Sequence, residues 1–219
     1  MEGRNSPDHL SSSLTDLMTS LMVIFVLLLL VFIQRSGAKD PAAAARLFVE
    51  LERHLNPSAP NNPMIKQDQN RILLIAPERL MSFEAGKYAL SERGKQFLAE
   101  KLPPIAATLY DKRFRDSIES IVVEGHSDLQ VFYGLPPEES RNRNLELSQQ
   151  RAMEVVKTAL ANLRDTSPEE QEWFISKLSA SGRGQQDCSV NDIPEECRKV
   201  IFVIRIRAAE FEGLQERIQ

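Results

Sequence analysis

Residues 117–128 read SIESIVVEGHSD. Ile118, Ile121, Val122 and Val123 are β-branched, and such side chains fit a pleated, half-buried surface better than a helix. The run predicts a strand that ends at Gly125, with Asp128 in the turn that follows. A strand of this kind has to be paired and covered, so the flanking sequence decides the architecture.

On the C-terminal side, NLELSQQRAMEVVKTALANL (144–163) brings Leu145, Ala152, Val155, Val156, Ala159 and Leu163 to one helical face. SPEEQEWFISKL (167–178) reads as a short helix with Ser167 as N-cap and Pro168 at its first position; its Trp173 is read as packing. KVIFVIRIR (199–207) alternates Val200, Phe202, Ile204 and Ile206 against the intervening residues, which predicts a strand with one face fully buried. On the N-terminal side, RILLIA (71–76) reads as a buried strand and ERLMSF (78–83) as a second extended piece. SERGKQFLAEKLPPIAATLY (91–110) reads as a helix capped by Ser91 and disturbed at Pro103 and Pro104. The βαβαβ order predicts an α/β sandwich, a mixed sheet with helices on one face.

The N-terminus is of another kind. Leu17 to Ile33 is a run of seventeen uncharged residues. A helix of that length rises about 26 Å, enough with its flanks to cross a hydrocarbon core of about 30 Å. A cleaved signal peptide is the competing reading, because Ser36, Gly37 and Ala38 are suitably small; the apolar run exceeds the usual signal length, and only Arg4 precedes it against Glu2 and Asp8. The expected organisation is a cytoplasmic tail at 1–13, a transmembrane helix at 14–34, a helix and linker at 35–69, a globular domain at 70–209 and a tail at 210–219. In the third segment Ala44, Leu47, Phe48, Leu51 and Leu55 line one face of a helix introduced by Asp40 and Pro41. That helix either gates the membrane portion or packs on the next domain.

Composition excludes some functions. A net charge of −4 argues against nucleic acid as a partner. His9, His54 and His126 lack ligand spacing, so no metal site or cofactor is expected. No serine or cysteine sits in a nucleophile elbow beside His126, so no enzyme is expected and His126 is read as structural. Cys188 and Cys197, nine apart, close a loop as a disulfide in an oxidising compartment and stay two thiols otherwise.

IVVEGHSD (121–128), NLELSQQRA (144–152), SGRGQ (181–185) and RKVIFVI (198–204) occur in one order, preceded by MSFEAGKYALSERGKQFL (81–98). This series resembles the OmpA-like peptidoglycan-binding domain found in outer-membrane proteins, lipoproteins and flagellar stator B subunits. The resemblance implies a ligand, the diaminopimelate of a peptidoglycan stem, that offers one ammonium and one carboxylate. It places the family's aspartate at Asp128 and its arginine at Arg151, whose planar fork meets a carboxylate bidentately. Asn144 matches the position that bonds ligand or loop amides, and Leu147 the one that walls the pocket. Two departures stand out: the fifteen residues 129–143 make a longer loop than the family usually carries, and Cys197 replaces an asparagine before the basic pair.

TDLMTSLMVIFVLLLL (15–30) is in turn similar to the start of the membrane helix of flagellar-type, MotB-like stator B subunits. The match makes Asp16 the ion-carrying carboxylate, followed by a face with Met18, Thr19, Leu21 and Met22. What it implies is an ion-driven motor in the bacterial inner membrane, moving H⁺ or Na⁺. Two copies of this chain would stand as a homodimer inside a ring of A-type (MotA-like) subunits. Peptidoglycan lies outside that membrane, so the C-terminal domain is expected in the periplasm and the N-terminus in the cytoplasm. Arg35 and Lys39 after the run, against Arg4 before it, lean weakly the other way. The short tail, compact linker and elaborated loop look most like the B subunit of the Zorya anti-phage defence system. A flagellar-type stator and a passive peptidoglycan tether are the alternatives.

Overall fold

The computed structural model describes residues 8–37, 41–55, 64–83 and 87–207, the side chains of 8–15, 32–37 and 41–43 excepted. Residues 1–7 of the expected 1–13 tail, the tail at 210–219 and the linker at 56–63 lie outside the described residues. The chain divides into two units, 1–39 with 208–219, and 40–207.

The first unit contains helix α1, Asp8–Gly37. Its described side chains run from Asp16 to Val31 and are exposed throughout. Among the described residues no helix is long and apolar enough to cross a membrane; the expected span, 14–34, lies within α1, and its described side chains are those of 16–31.

The second unit is built on a five-stranded mixed sheet of order β1-β2-β5-β3-β4. The strands are β1 (Ile65–Asp68), β2 (Arg71–Pro77), β3 (Ile118–His126), β4 (Leu178–Gly184) and β5 (Lys199–Ile206). All neighbours are antiparallel except β3 and β4, which run parallel across the connection containing helices α4 (Pro137–Asn162) and α5 (Pro168–Lys177). The register stacks apolar residues in rows: Ile72, Ile204 and Ile121 form one, and Leu74, Phe202 and Val123 the next. These rows meet the helices, and burying each such side chain contributes about 2 kcal/mol. Arg71 and Arg205, at the alternate positions, are exposed.

Two strands differ from the sequence reading. β4 consists of LSASGRG, whose small residues carry no alternating apolar signal; it is a strand because β3 pairs with it along its length. β1 and β2 form a tight hairpin about Gln69, at φ 55°, and Asn70. The segment 78–83, expected as extended, is instead a turn: the amides of Leu80 and Met81 donate to the Pro77 carbonyl, and only Phe83 makes a bridge, to Leu90. The expected helix capped by Ser91 forms as α3, Glu92–Tyr110, and it runs on through Pro103 and Pro104.

The linker helix α2 (Pro41–Leu55) buries Ala44, Leu47 and Leu51 in the same core as Ile65, Ile72 and Leu109. Together with β1 it belongs to the folded unit, which begins at 40 rather than at 70. Its apolar stripe is matched by that core, which answers why the stripe exists. Trp173 packs edge-on to Tyr110 and Phe174, with ring centroids 5.7 and 4.8 Å away.

Candidate functional site

The expected loop 129–143 is half helix. α4 begins at Pro137, seven residues before Asn144, with Glu138 and Glu139 in its first turn, where the helix dipole favours acids. The remaining residues are tied down at three points. Asp128 Oδ1 accepts from the Gln130 amide at 3.0 Å, Asn144 Nδ2 donates to the Gln130 carbonyl at 3.0 Å, and Ser140 Oγ accepts from the Phe132 amide at 2.9 Å. Asn144 therefore bonds the loop, one of the two roles open to it.

Below this loop lies a cavity of about 540 Å³, lined in part by Asp128, Asn144, Leu147, Arg151, Glu78 and Arg198. All four residues singled out from the sequence border it, although they come from the end of β3 and two turns of α4. Asp128 is 5% exposed and Arg151 7%. The Arg151 guanidinium lies 5.0 Å from the centre of the Phe83 ring, and its Nε donates to the Lys87 carbonyl at 3.1 Å. Among the described residues its two Nη atoms have no partner. Burial pushes its pKa below the ordinary arginine value, with the Glu78 and Asp128 charges pulling the other way; an arginine stays cationic at neutral pH regardless.

Asp128 and Arg151 are not paired with each other. Arg198, at the start of β5, bonds Asp128 Oδ2 through Nη1, Glu78 Oε2 through Nε at 2.6 Å and Glu195 Oε1 through Nη2 at 3.2 Å. Burial opposes its charge, but the hydrogen bonds to Glu78 and Asp128 outweigh it and raise its pKa. The site thus holds two guanidinium groups against two carboxylates, Glu78 and Asp128. Arg198 is engaged through all three of its nitrogens, and among the described residues the two Nη atoms of Arg151 are not.

Sequence reading left Arg198 and Glu78 without a role. No spacing rule links Arg198 to Asp128 seventy positions away; the link comes from β5 lying beside β3. A local pointer existed in Cys197, which precedes Arg198 and is bonded to Cys188 in the loop after β4, with Cα atoms 5.4 Å apart. The bridge anchors the chain beside Arg198. Reduction is expected to lower the domain's stability by about 2–3 kcal/mol, since the closed loop spans about ten residues. Urea unfolding of the chain with and without reductant measures this, and coincident midpoints would contradict it.

His126 stands apart from the cavity chemistry. Its buried ring places Nδ1 3.3 Å from Asp187 Oδ2 and Nε2 3.8 Å from Glu124 Oε2, without hydrogen-bond geometry to either. Among the described residues no nucleophilic side chain is hydrogen-bonded to it.

No protein-family model matches the chain, and no curated protein matches it in sequence. Solved structures do resemble it. A MotB-like protein from Desulfovibrio vulgaris superposes with a TM-score of 0.53 at 20% identity, over 76% of this chain and 96% of that one. The periplasmic domain of Helicobacter pylori MotB gives 0.47 at 18% identity, over 70% and 95%. The cell wall anchor of the T6SS from Pseudomonas aeruginosa gives 0.46 at 18%, over 75% and 97%. At such identities the likeness is one of fold, and three quarters of this chain share the fold of the Desulfovibrio vulgaris MotB-like protein.

Proposed function

We propose that the chain is the B-type subunit of an ion-driven stator of the Zorya anti-phage type, fixed to peptidoglycan by its 40–207 unit. The observation that carries the anchoring half is the Arg151 guanidinium, buried beside a cavity with its two Nη donors unpartnered among the described residues and the Asp128 carboxylate on the same wall. A desolvated guanidinium with free donors calls for a carboxylate, and a nearby carboxylate for an ammonium. The diaminopimelate end of a peptidoglycan stem carries both on one small group. Leu147 packs against its aliphatic part, and Asn144 and Ser140 keep the cavity wall in place. The role is one of binding, not of enzymatic turnover.

The motor half rests on the N-terminal unit. From Leu21 to Val31 every side chain of α1 is apolar and exposed, a run suited to lipid or to other helices around it. In this reading α1 crosses the inner membrane with the N-terminus in the cytoplasm and the 40–207 unit in the periplasm, which agrees with the Cys188–Cys197 bridge. Two such helices stand within a ring of A-type subunits. Asp16, the carboxylate at the border of the charge-free run, carries H⁺ or Na⁺ among those helices and releases it to the other side.

Binding to isolated sacculi tests the anchoring. Arg151→Ala, with its fold checked by circular dichroism, is expected to weaken retention about a hundredfold, the scale of one lost charge-assisted contact. Asp128→Ala should weaken it by a similar factor. Unchanged retention by both would remove the site assignment.

A further inference from the structure

We propose that the inserted segment 129–135 is a saccharide subsite in which the Tyr133 ring stacks on a sugar of the same ligand that Arg151 holds; the inference rests on the peptidoglycan reading. The segment reads LQVFYGL and carries no charged residue. Its amide and carbonyl groups are fastened to Asp128, Ser140 and Asn144, so it is a built wall and not a slack loop. The Leu135 amide closes a turn onto the Phe132 carbonyl at 3.1 Å, and Gly134 has φ 78° with open space around it. A positive φ at the third turn position suits glycine and sets Tyr133 at the tip.

The outcome is an apolar, aromatic surface held open to solvent. Tyr133 is fully exposed and Val131 54% exposed, yet both line the cavity that contains Asp128 and Arg151. Single exposed apolar residues need no explanation, but a contiguous group at the mouth of a polar cavity marks a contact surface. Tyrosine makes such contacts with little loss of side-chain freedom. The occupant follows from the neighbouring chemistry. Peptidoglycan joins its stem peptide covalently to an uncharged sugar, whose C–H faces suit an aromatic ring and whose hydroxyls suit the Tyr133 edge. A neutral surface continuous with a charged cavity matches a neutral glycan continuous with a charged peptide. A cavity of about 540 Å³ is in the range that holds a whole small ligand, more than the end of one residue.

Calorimetric titration of the full chain in detergent with two probes tests this: a soluble disaccharide–peptide from digested peptidoglycan, and the free stem peptide. The wild type is expected to bind the disaccharide–peptide about tenfold more tightly. Tyr133→Ala should erase that difference while leaving the free peptide unaffected, and Tyr133→Phe should retain most of it. Equal weakening of both probes, or no weakening of either, overturns the proposal. A change in oligomeric state with no change in binding would also overturn it, by making the patch an interface between copies. If the wild type binds neither probe, the peptidoglycan reading falls first and the subsite with it.

Discussion

Gly125→Ala is expected to destabilise the 40–207 unit by about 3 kcal/mol, the upper end of what overpacking costs and a large fraction of a typical domain's stability. A Cβ at this position would overlap the Ser148 carbonyl oxygen and stand 3.1 Å from its carbon. Neither is the end of a flexible side chain; both belong to the backbone of α4. Relief would need the helix to lift from the sheet, opening gaps along Ala152 and Val155, which are fully buried beneath it. The same close approach recurs on the next strand, where a Cβ on Gly182 would stand 2.6 Å from the Gln149 nitrogen. Ser148 locks the arrangement, its Oγ donating to the Leu145 carbonyl at 2.7 Å and accepting from the Gly184 amide at 2.9 Å. Urea unfolding followed by circular dichroism measures the loss. A variant as stable as wild type would mean that α4 shifts without cost and that the two glycines do not set its height.

On the proposed stator reading, Asp16→Asn is expected to abolish ion-driven function while the protein still inserts and assembles. Asparagine has nearly the shape of aspartate but cannot be discharged and recharged by an ion. The expectation follows from position: Asp16 is the acidic residue adjoining Leu17–Ile33, a run without any charge of its own. At the edge of a membrane an aspartate is tolerated, whereas among packed helices it is costly unless it has a role. Ion flux in cells expressing the chain with its ring partner should fall to background, with the complex still recovered by affinity purification. Undiminished flux would rule out the carrier role and leave the tether reading in place.

How far these features could be read in advance depended on how local their cause is. The β3 strand, the α4 face from Ala152 to Val156 and the β5 strand come from periodicity within one segment, and each forms where the pattern places it. In β5, however, Phe202 is half-buried and Val203 on the opposite face is buried. Leu145 shows the limit. It shares the helical face with Ala152 by spacing, yet it is 45% exposed at the edge of the sheet beside Gly184, while Leu147 and Ser148 turn inward. The period identifies a stripe, but the height and tilt of the helix on the sheet decide where the stripe ends.

That Asp128, Asn144, Leu147 and Arg151 border one cavity was legible for a similar reason. Asp128 follows one strand end, and the other three lie on successive turns of one helix, so their separations are local. Their bonding was not legible, because Asp128 pairs with Arg198 across a strand neighbour and not with Arg151. From residues alone came the charge-free N-terminal run with Asp16 at its border, the alternation of strands and helices, and the Cys188–Cys197 pair. Those are statements about one segment, or about two cysteines in one loop. The strand character of LSASGRG, the joining of α2 to the main core, the Arg198 bridge and the wall made by residues 129–135 came from packing. Each depends on which surfaces meet after the chain folds, and the energy of such a meeting belongs to the pair rather than to either partner.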